Sequence, residues 1–191
     1  MARTANPKRP EALLDAVVGY LMTHGVADVA LRPLAKAVRS SPRVLLYYFG
    51  SKEELVARAL KRLRERQRAG FARMKQADVQ DPIEVCRAVW RQLAAPQTEP
   101  LFRLFLQAYS MGLQQPQRFA AFLHDAIEDW LEFLAAPRLA AGASPAAARA
   151  YATVVLAGFR GFMLDYCASH DRRRVEAAVE LWLRSLETIP L

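Results

Sequence analysis

Signals that start a helix recur along the whole 191-residue chain. Ser41-Pro42, Asp81-Pro82 and Ser144-Pro145 each place a good N-cap residue before a proline, which is favoured at the first helical position. Ser51 and Glu54 have the spacing of a capping box. Between these signals apolar residues recur at helical spacing, and no strand-like alternation persists. The pattern predicts an all-α fold of about nine helices with mostly short connections.

Apolar periodicity sets approximate limits for these helices. Pro137 is predicted to end the seventh helix, because proline removes a backbone donor and clashes with the preceding turn. Residues 137–144 are therefore expected to form a loop. The predicted helices cover about residues 10–24, 31–38, 42–48, 51–75, 82–95, 99–113, 116–136, 145–169 and 172–187.

Basic residues are concentrated in the first part of the chain. Residues 1–75 hold 16 Lys and Arg against 6 Asp and Glu, a net charge of +10, while residues 76–191 hold 11 against 13, a net charge of −2. This distribution favours a polyanionic partner, most simply nucleic acid, with an anionic membrane surface as the competing partner. The run Lys61, Arg62, Arg64, Arg66 and Arg68 is interpreted as a solvated helix face. The tail residues Arg3, Lys8 and Arg9 are expected to add salt-dependent affinity for a polyanion.

Two short predicted helices, at 31–38 and 42–48, are joined by about three residues and follow a longer supporting helix. Such a pair within the basic part of a chain is typical of a helix-turn-helix DNA reader. The second helix is predicted to enter the major groove. Arg43 suits a guanine there, because its guanidinium can donate two hydrogen bonds to that base.

The predicted recognition helix has an inward and an outward face. Leu45 and Phe49 can pack inward, while Arg43, Val44 and Tyr47 can face outward. Phosphate contacts are expected beside this helix, because free N–H groups at helix N-termini attract anions. The predicted DNA-contacting residues are Arg32, Arg39, Ser41, Pro42, Arg43, Val44, Tyr47, Tyr48 and Lys52.

The segment Leu45–Leu55, which reads LLYYFGSKEEL, resembles the tetracycline-repressor (TetR) family. Gly25 after the first helix and Leu34-Ala35 in the second extend the resemblance over about residues 10–58. Lys52 matches the lysine of the family's Ser-Lys-Glu motif, which implies a contact with the DNA backbone. The sequence departs from the family at Arg39-Ser40-Ser41, where the usual turn is Gly-Val-Ser. The tyrosine of the family's Leu-Tyr pair is also shifted, so either Tyr47 or Tyr48 could contact phosphate.

The resemblance implies two domains with different functions. A helix-turn-helix DNA-binding domain is expected at residues 1–57, and a helical effector-binding and dimerisation domain at residues 58–191. The implied activity is that of a ligand-responsive transcriptional regulator, more often a repressor than an activator. As a homodimer it would bind a near-palindromic operator and be released by a small-molecule effector.

Aromatic residues of the second domain could line a pocket for an apolar or aromatic effector. The last two predicted helices also carry more apolar surface than one buried face needs, which indicates a helical dimer interface. The predicted effector-binding residues are Trp90, Phe102, Phe105, Tyr109, Phe122, Trp130, Phe159, Phe162 and Tyr166.

Two other functional classes fit parts of the pattern. A membrane-surface or adaptor protein could use the basic helix at 58–75 on anionic lipid. A helical enzyme could use an aromatic pocket, but no Gly-rich phosphate loop, nucleophile elbow or Cys-x-x-Cys motif is present, so catalysis and a cofactor are not expected. His124 and Glu128 have a spacing that can hold a metal, yet no second histidine lies near, so an acidic solvated face is favoured and no metal is predicted.

The sequence also indicates a compartment. No apolar run is long enough to span a membrane, and the first ten residues contain no apolar core of a secretory signal. Cys86 and Cys167 lie far apart within apolar helical patterns and are interpreted as buried thiols. A cytoplasmic protein without membrane association is therefore expected.

Overall fold

A computed structural model of the chain describes residues 9–27, 29–76 and 81–190. Within those residues the chain forms nine α-helices and no strand, which confirms the predicted all-α fold. A short 3-10 turn at Pro96–Thr98 precedes the sixth helix. The tail residues Arg3 and Lys8 lie outside the described residues. The helices are α1 (Arg9–His24), α2 (Leu31–Ala37), α3 (Pro42–Phe49), α4 (Lys52–Gln76), α5 (Pro82–Leu93), α6 (Glu99–Gln114), α7 (Pro116–Ala140), α8 (Pro145–Ser169) and α9 (Arg172–Glu187).

The helix starts follow the capping residues of the sequence. The backbone N–H of Val44 donates to Ser41 Oγ at 3.3 Å, and that of Glu54 donates to Ser51 Oγ at 3.0 Å. Asp81 and Ser144 cap α5 and α8 in the same way. Each cap satisfies an N–H that the helix itself leaves without a partner, so local sequence fixes where these helices begin.

Helix α7 continues through Pro137 to Ala140, beyond the end that the sequence predicts. The loop expected from residue 137 therefore begins only after residue 140. Arg138 supplies the physical reason, because its buried side chain lies 4.7 Å from the ring centre of Tyr151 and donates to the carbonyl oxygens of Ile189 and Pro190. These contacts of Arg138 offset the hydrogen bond that proline removes.

The chain forms two compact units. The first, called here the N-terminal unit, comprises Met1–Arg68 with Arg103–Phe122, and the second unit comprises Ala69–Phe102 with Leu123–Leu191. Most of α6 and the start of α7 therefore belong to the N-terminal unit although they come much later in the sequence. The functional boundary expected near residue 57 remains a prediction.

The core of the N-terminal unit joins α1–α4 to side chains of α6 and α7. Leu104, Ala108 and Phe119 are buried in the same cluster as the apolar residues of the first four helices. A hydrogen bond adds to this packing, because the N–H of Val26 donates to Gln107 Oε1 at 2.8 Å. Helix α6 therefore helps to build the support of α1 and α2.

An aromatic cluster lies at the centre of the second unit, where α5, α8 and α9 pack on one another. The ring of Trp182 on α9 lies 5.3 Å from the rings of both Phe159 and Phe162, centre to centre. Trp90 on α5 lies 6.4 Å from Phe159 and 6.2 Å from Phe162. Gly158 leaves room for the indole of Trp182, since a Cβ at residue 158 would come within 2.7 Å of Trp182 Cε2.

Both cysteines are free thiols. Cys86 is buried and its Sγ lies 3.7 Å from the hydroxyl of Tyr151, whereas Cys167 is half-buried. Burial raises the pKa of the Cys86 thiol to about 11. The expectation of buried thiols therefore holds fully for Cys86 and only partly for Cys167.

Candidate nucleic-acid interface

The inner face of α3 is fixed by two apolar side chains. Leu45 is 0% exposed and Phe49 is also buried, in the core cluster that contains Leu34 and Ala35 of α2. The inward assignment of Leu45 and Phe49 in the sequence analysis is therefore correct. Because both anchors lie on one side of α3, the opposite side is left for solvent or a partner.

Arg43 and Tyr47 lie on the outer side of α3 and are exposed, as the helical spacing predicts. Val44, also predicted to face outward, is half-buried. Leu46 takes its place on the surface, with 38% of its area exposed. Leu46 was not among the predicted DNA-contacting residues, although its spacing of three from Arg43 is the signal that could have found it.

The two tyrosines of α3 differ in their surroundings. Tyr47 is 78% exposed, and Tyr48 is partly buried against the core cluster. Their ring centres lie 5.1 Å apart with the planes at 73°, an edge-to-face arrangement. Tyr48 therefore supports the neighbouring ring, and Tyr47 is the tyrosine with its surface available to a partner.

The turn between α2 and α3 holds a residue in a conformation that favours glycine. Arg39 has a φ of 52°, in the left-handed region, where a Cβ crowds the following carbonyl oxygen. The N–H groups of Arg39 and Ser40 donate to the carbonyl oxygens of Lys36 and Ala35, at 3.2 and 2.8 Å. The turn thus keeps its hydrogen bonds but carries backbone strain, and the arginine side chain stands exposed upon it.

Arg39→Gly is expected to raise the free energy of unfolding by about 1 kcal/mol, because glycine adopts positive φ without steric cost. Urea denaturation followed by far-ultraviolet circular dichroism measures this change. Arg39→Ala is the matched control, since it removes the guanidinium but keeps the Cβ. An equal gain in both variants would assign the effect to the charge instead of the backbone.

The first turn of α4 lies directly after α3 in the chain. Lys52, the first residue of α4, has its Nζ 4.0 Å from a carboxylate oxygen of Glu53, with both side chains substantially exposed. An exposed ion pair of this length is weak and easily exchanged for another anion. Lys52 is therefore available to a phosphate, and the exposed Arg32 of α2 is a second such cation.

The basic run of α4 is engaged in ion pairs with α1. Arg62 Nε lies 3.2 Å from Asp15 Oδ1, Arg66 Nη2 lies 2.9 Å from the same oxygen, and Arg62 also pairs with Glu11. Arg64 is buried and donates to Gln67. The interpretation of the run as a solvated face therefore holds only in part: its other two members are exposed, whereas these three tie helices together or pack inside.

Part of the predicted effector set comes together in the second unit. Trp90, Phe159 and Phe162 belong to the aromatic cluster described above. Trp182, which the sequence analysis omitted, is its fourth member. It lies between Leu181 and Leu183 of α9, and this local sequence gives no sign of a contact with α8.

The remaining predicted effector residues lie elsewhere. Phe105, Tyr109 and Phe122 form a second ring cluster within the N-terminal unit, with ring centres 4.7–6.5 Å apart. The members outside both clusters are Phe102, which is buried, Trp130, whose ring lies 6.3 Å from Phe133, and Tyr166, whose ring lies 6.5 Å from His170.

Comparison with known proteins places the helices just described in a family. Residues 13–59, from α1 to the first part of α4, match the family model described as bacterial regulatory proteins, tetR family. This N-terminal segment is therefore similar to the TetR family. Helices α2 and α3 are thus the helix-turn-helix of a TetR DNA-binding region, as the sequence resemblance implies.

Solved structures share the TetR fold over nearly the whole chain. A transcriptional regulator from Rhodococcus sp. Rha1 has a TM-score of 0.77 and 20% identity, and covers 93% of this chain and 95% of its own. A TetR transcription regulator from Haloarcula marismortui has a TM-score of 0.76 and 19% identity, with 96% and 99% coverage. Multidrug binding protein EbrR complexed with malachite green has a TM-score of 0.63 and 25% identity, with 97% and 100% coverage. No curated protein gives a significant sequence match.

The hydropathy of the helices gives one further finding. Among the helices of the described residues, none combines the length and the apolar character that crossing a bilayer requires.

Proposed function

We propose that the chain is a cytoplasmic, ligand-responsive transcriptional regulator, most simply a repressor, that binds a near-palindromic operator as a homodimer. The observation that carries the proposal is the division of α3. Leu45 and Phe49 hold it on the core, while Arg43 and Tyr47 stand exposed. This helix lies in a TetR DNA-binding region within a segment of net charge +10.

The proposed contacts fall into two kinds. Arg43 reads a guanine in the major groove, where a bidentate arginine is the commonest specific contact. Arg32, Arg39, Tyr47 and Lys52 bind phosphate and set the position of α3 without reading sequence. Ser41 and Pro42 shape the start of the helix, where Ser41 is the N-cap. Because Pro42 lacks an N–H, the N–H of Arg43 is the first one that can donate to a DNA phosphate.

The homodimer is proposed to form through α8 and α9. Val154 and Leu164 on α8 and Leu181 on α9 are large apolar residues with substantial exposed area, which a second copy would cover. Two recognition helices on one face of B-form DNA require half-sites about 34–36 Å apart or a multiple of that distance.

An apolar or aromatic small molecule is proposed as the effector. The ring cluster of Trp90, Phe159, Phe162 and Trp182 is the favoured place for it, because aromatic linings suit planar apolar ligands. The complex of the related EbrR with malachite green supports this ligand class. Effector and operator would each favour one of two conformations, and only that difference in affinity couples the two sites.

The proposed DNA face is tested by two substitutions with different expected results. Arg43→Ala should relax base preference at one position of each half-site, a change worth about 1–3 kcal/mol of discrimination. Lys52→Ala should weaken binding to all sequences alike and lower the slope of log affinity against log salt by about 1. Gel-shift titrations over a salt series, with duplexes from in vitro selection, measure both quantities.

Arg173→Ala serves as the matched control for these titrations, because Arg173 is an exposed arginine of α9, outside the family match at residues 13–59. It should change neither base preference nor the salt slope. Unchanged binding in both Arg43→Ala and Lys52→Ala would show that the assigned DNA face is wrong.

The two other functional classes receive less support. The hypothesis of a membrane-surface protein requires a free basic face on α4 that can bind anionic lipid, yet Arg62 and Arg66 are paired with a carboxylate of α1. The solved relatives are described as transcriptional regulators, and we propose no catalytic activity for this chain.

A further inference from the structure

Leu46 is a large apolar side chain on the outer surface of the recognition helix. Leu45 and Phe49 supply the buried face of α3, whereas Leu46 keeps 38% of its area exposed. Its exposed neighbours in this eight-residue helix are Arg43 and Tyr47. A partly exposed apolar side chain beside an exposed arginine suits a partner that offers an apolar group next to a polar one.

We propose that Leu46 reads the C5 methyl group of a thymine close to the guanine read by Arg43. This inference rests on the function proposed above and names the base that the same helix selects. The partner is duplex DNA, because the surrounding segment has a net charge of +10 and suits a polyanion.

The chemistry of the major groove singles out thymine. Its C5 methyl is the apolar group that base pairs display there, while the other groups on the base edges are hydrogen-bond donors and acceptors. Leucine can neither donate nor accept. Placed on a guanine, cytosine or adenine edge, Leu46 would displace water from polar groups and leave them without partners, which is costly. Placed on a thymine methyl, it removes apolar surface from water on both sides.

Helix geometry limits where this thymine lies. Leu46 lies three positions after Arg43, a rise of about 4.5 Å along the helix axis. One base-pair step is about 3.4 Å. The thymine is therefore one or two base pairs from the guanine of the same half-site. Tyr47, the next residue, continues the exposed apolar surface and shields the methyl contact from water.

The experiment compares thymine with uracil, which differs from it by the C5 methyl alone and leaves every hydrogen-bonding group unchanged. In vitro selection with the full chain first gives the preferred duplex. Each selected thymine is then replaced in turn by deoxyuridine, and affinity is measured by gel shift for the unmodified protein, Leu46→Ala and Leu113→Ala. Leu113 is the control, since it is a leucine of α6 with 74% of its area exposed.

At one thymine, one or two positions from the guanine, uracil should weaken binding of the unmodified protein and of Leu113→Ala by about fourfold or more. Leu46→Ala should bind the two duplexes about equally, because its side chain is too short to reach the methyl. The inference is overturned if uracil has no effect at any position, or if Leu46→Ala keeps the preference for thymine. A failure of the proposed function looks different: no duplex is then enriched by the selection at all.

Discussion

Leu45→Ala is expected to lower the free energy of unfolding by about 2–5 kcal/mol and to abolish duplex binding. Leu45 is among the most deeply buried side chains of the N-terminal unit and fixes α3 to the core. Alanine would remove its contacts and leave a cavity beneath the recognition helix. The helix would then lose the orientation that direct readout of base edges requires.

Leu46→Ala is the natural control for this substitution, since it removes the same atoms one residue later from an exposed position. It should change the free energy of unfolding by less than about 0.5 kcal/mol, as surface substitutions usually do. Urea denaturation with circular dichroism, alongside gel shifts, separates the two variants. Equal destabilisation by both would contradict the burial pattern of α3.

Gly158→Ala is expected to lower the free energy of unfolding by about 1–3 kcal/mol, although alanine normally stabilises a helix relative to glycine. The new Cβ would lie within 2.8 Å of the Trp182 ring. Withdrawal of that ring would also disturb its packing on Phe159 and Phe162, whose ring centres lie 5.3 Å from it. Either the indole or the α8–α9 packing has to shift.

A double-mutant cycle with Trp182→Ala isolates this contact. In the Trp182→Ala background the indole is gone, and Gly158→Ala should then be neutral or stabilising by up to about 1 kcal/mol. Denaturation followed by tryptophan fluorescence suits the measurement, since Trp90 and Trp130 remain in the same unit as reporters. A loss of stability from Gly158→Ala that is as large without Trp182 as with it would refute the steric explanation.

Local signals predicted most of the secondary structure. The caps at Ser41, Ser51, Asp81 and Ser144 are short-range interactions, so the sequence alone was enough to locate them. Pro137 misled the prediction because the contacts that carry α7 past it come from remote residues of α8 and the C-terminal end. A rule based on neighbouring residues has no access to such contacts.

The candidate interface was predicted less completely, for a geometric reason. At about 100° per residue, Val44 lies farther around α3 from the Leu45–Phe49 face than Leu46 does, so periodicity favours Val44 as the exposed residue. The surrounding helices reverse that order, half-burying Val44 and exposing Leu46. The left-handed conformation of Arg39 was equally hidden, because arginine gives no sign of positive φ.

The effector residues show the limit of composition as a guide. Aromatic residues were correctly expected inside the fold, but their grouping depends on where the chain returns. Phe105, Tyr109 and Phe122 lie in a segment that rejoins the N-terminal unit, whereas Trp90 and Phe159 lie in the second unit. The spacing of aromatic residues in the sequence does not show which of the two units a segment joins.

The late arrival of α6 in the N-terminal core has a consequence for synthesis on the ribosome. Leu104, Ala108 and Phe119 complete the cluster on which α1–α3 rest, and Gln107 holds Val26. A nascent chain that has emerged only as far as α4 therefore lacks part of its own interior. Since a cooperative unit folds when its parts are all present, we expect the N-terminal unit to complete its fold only after translation has passed Phe122.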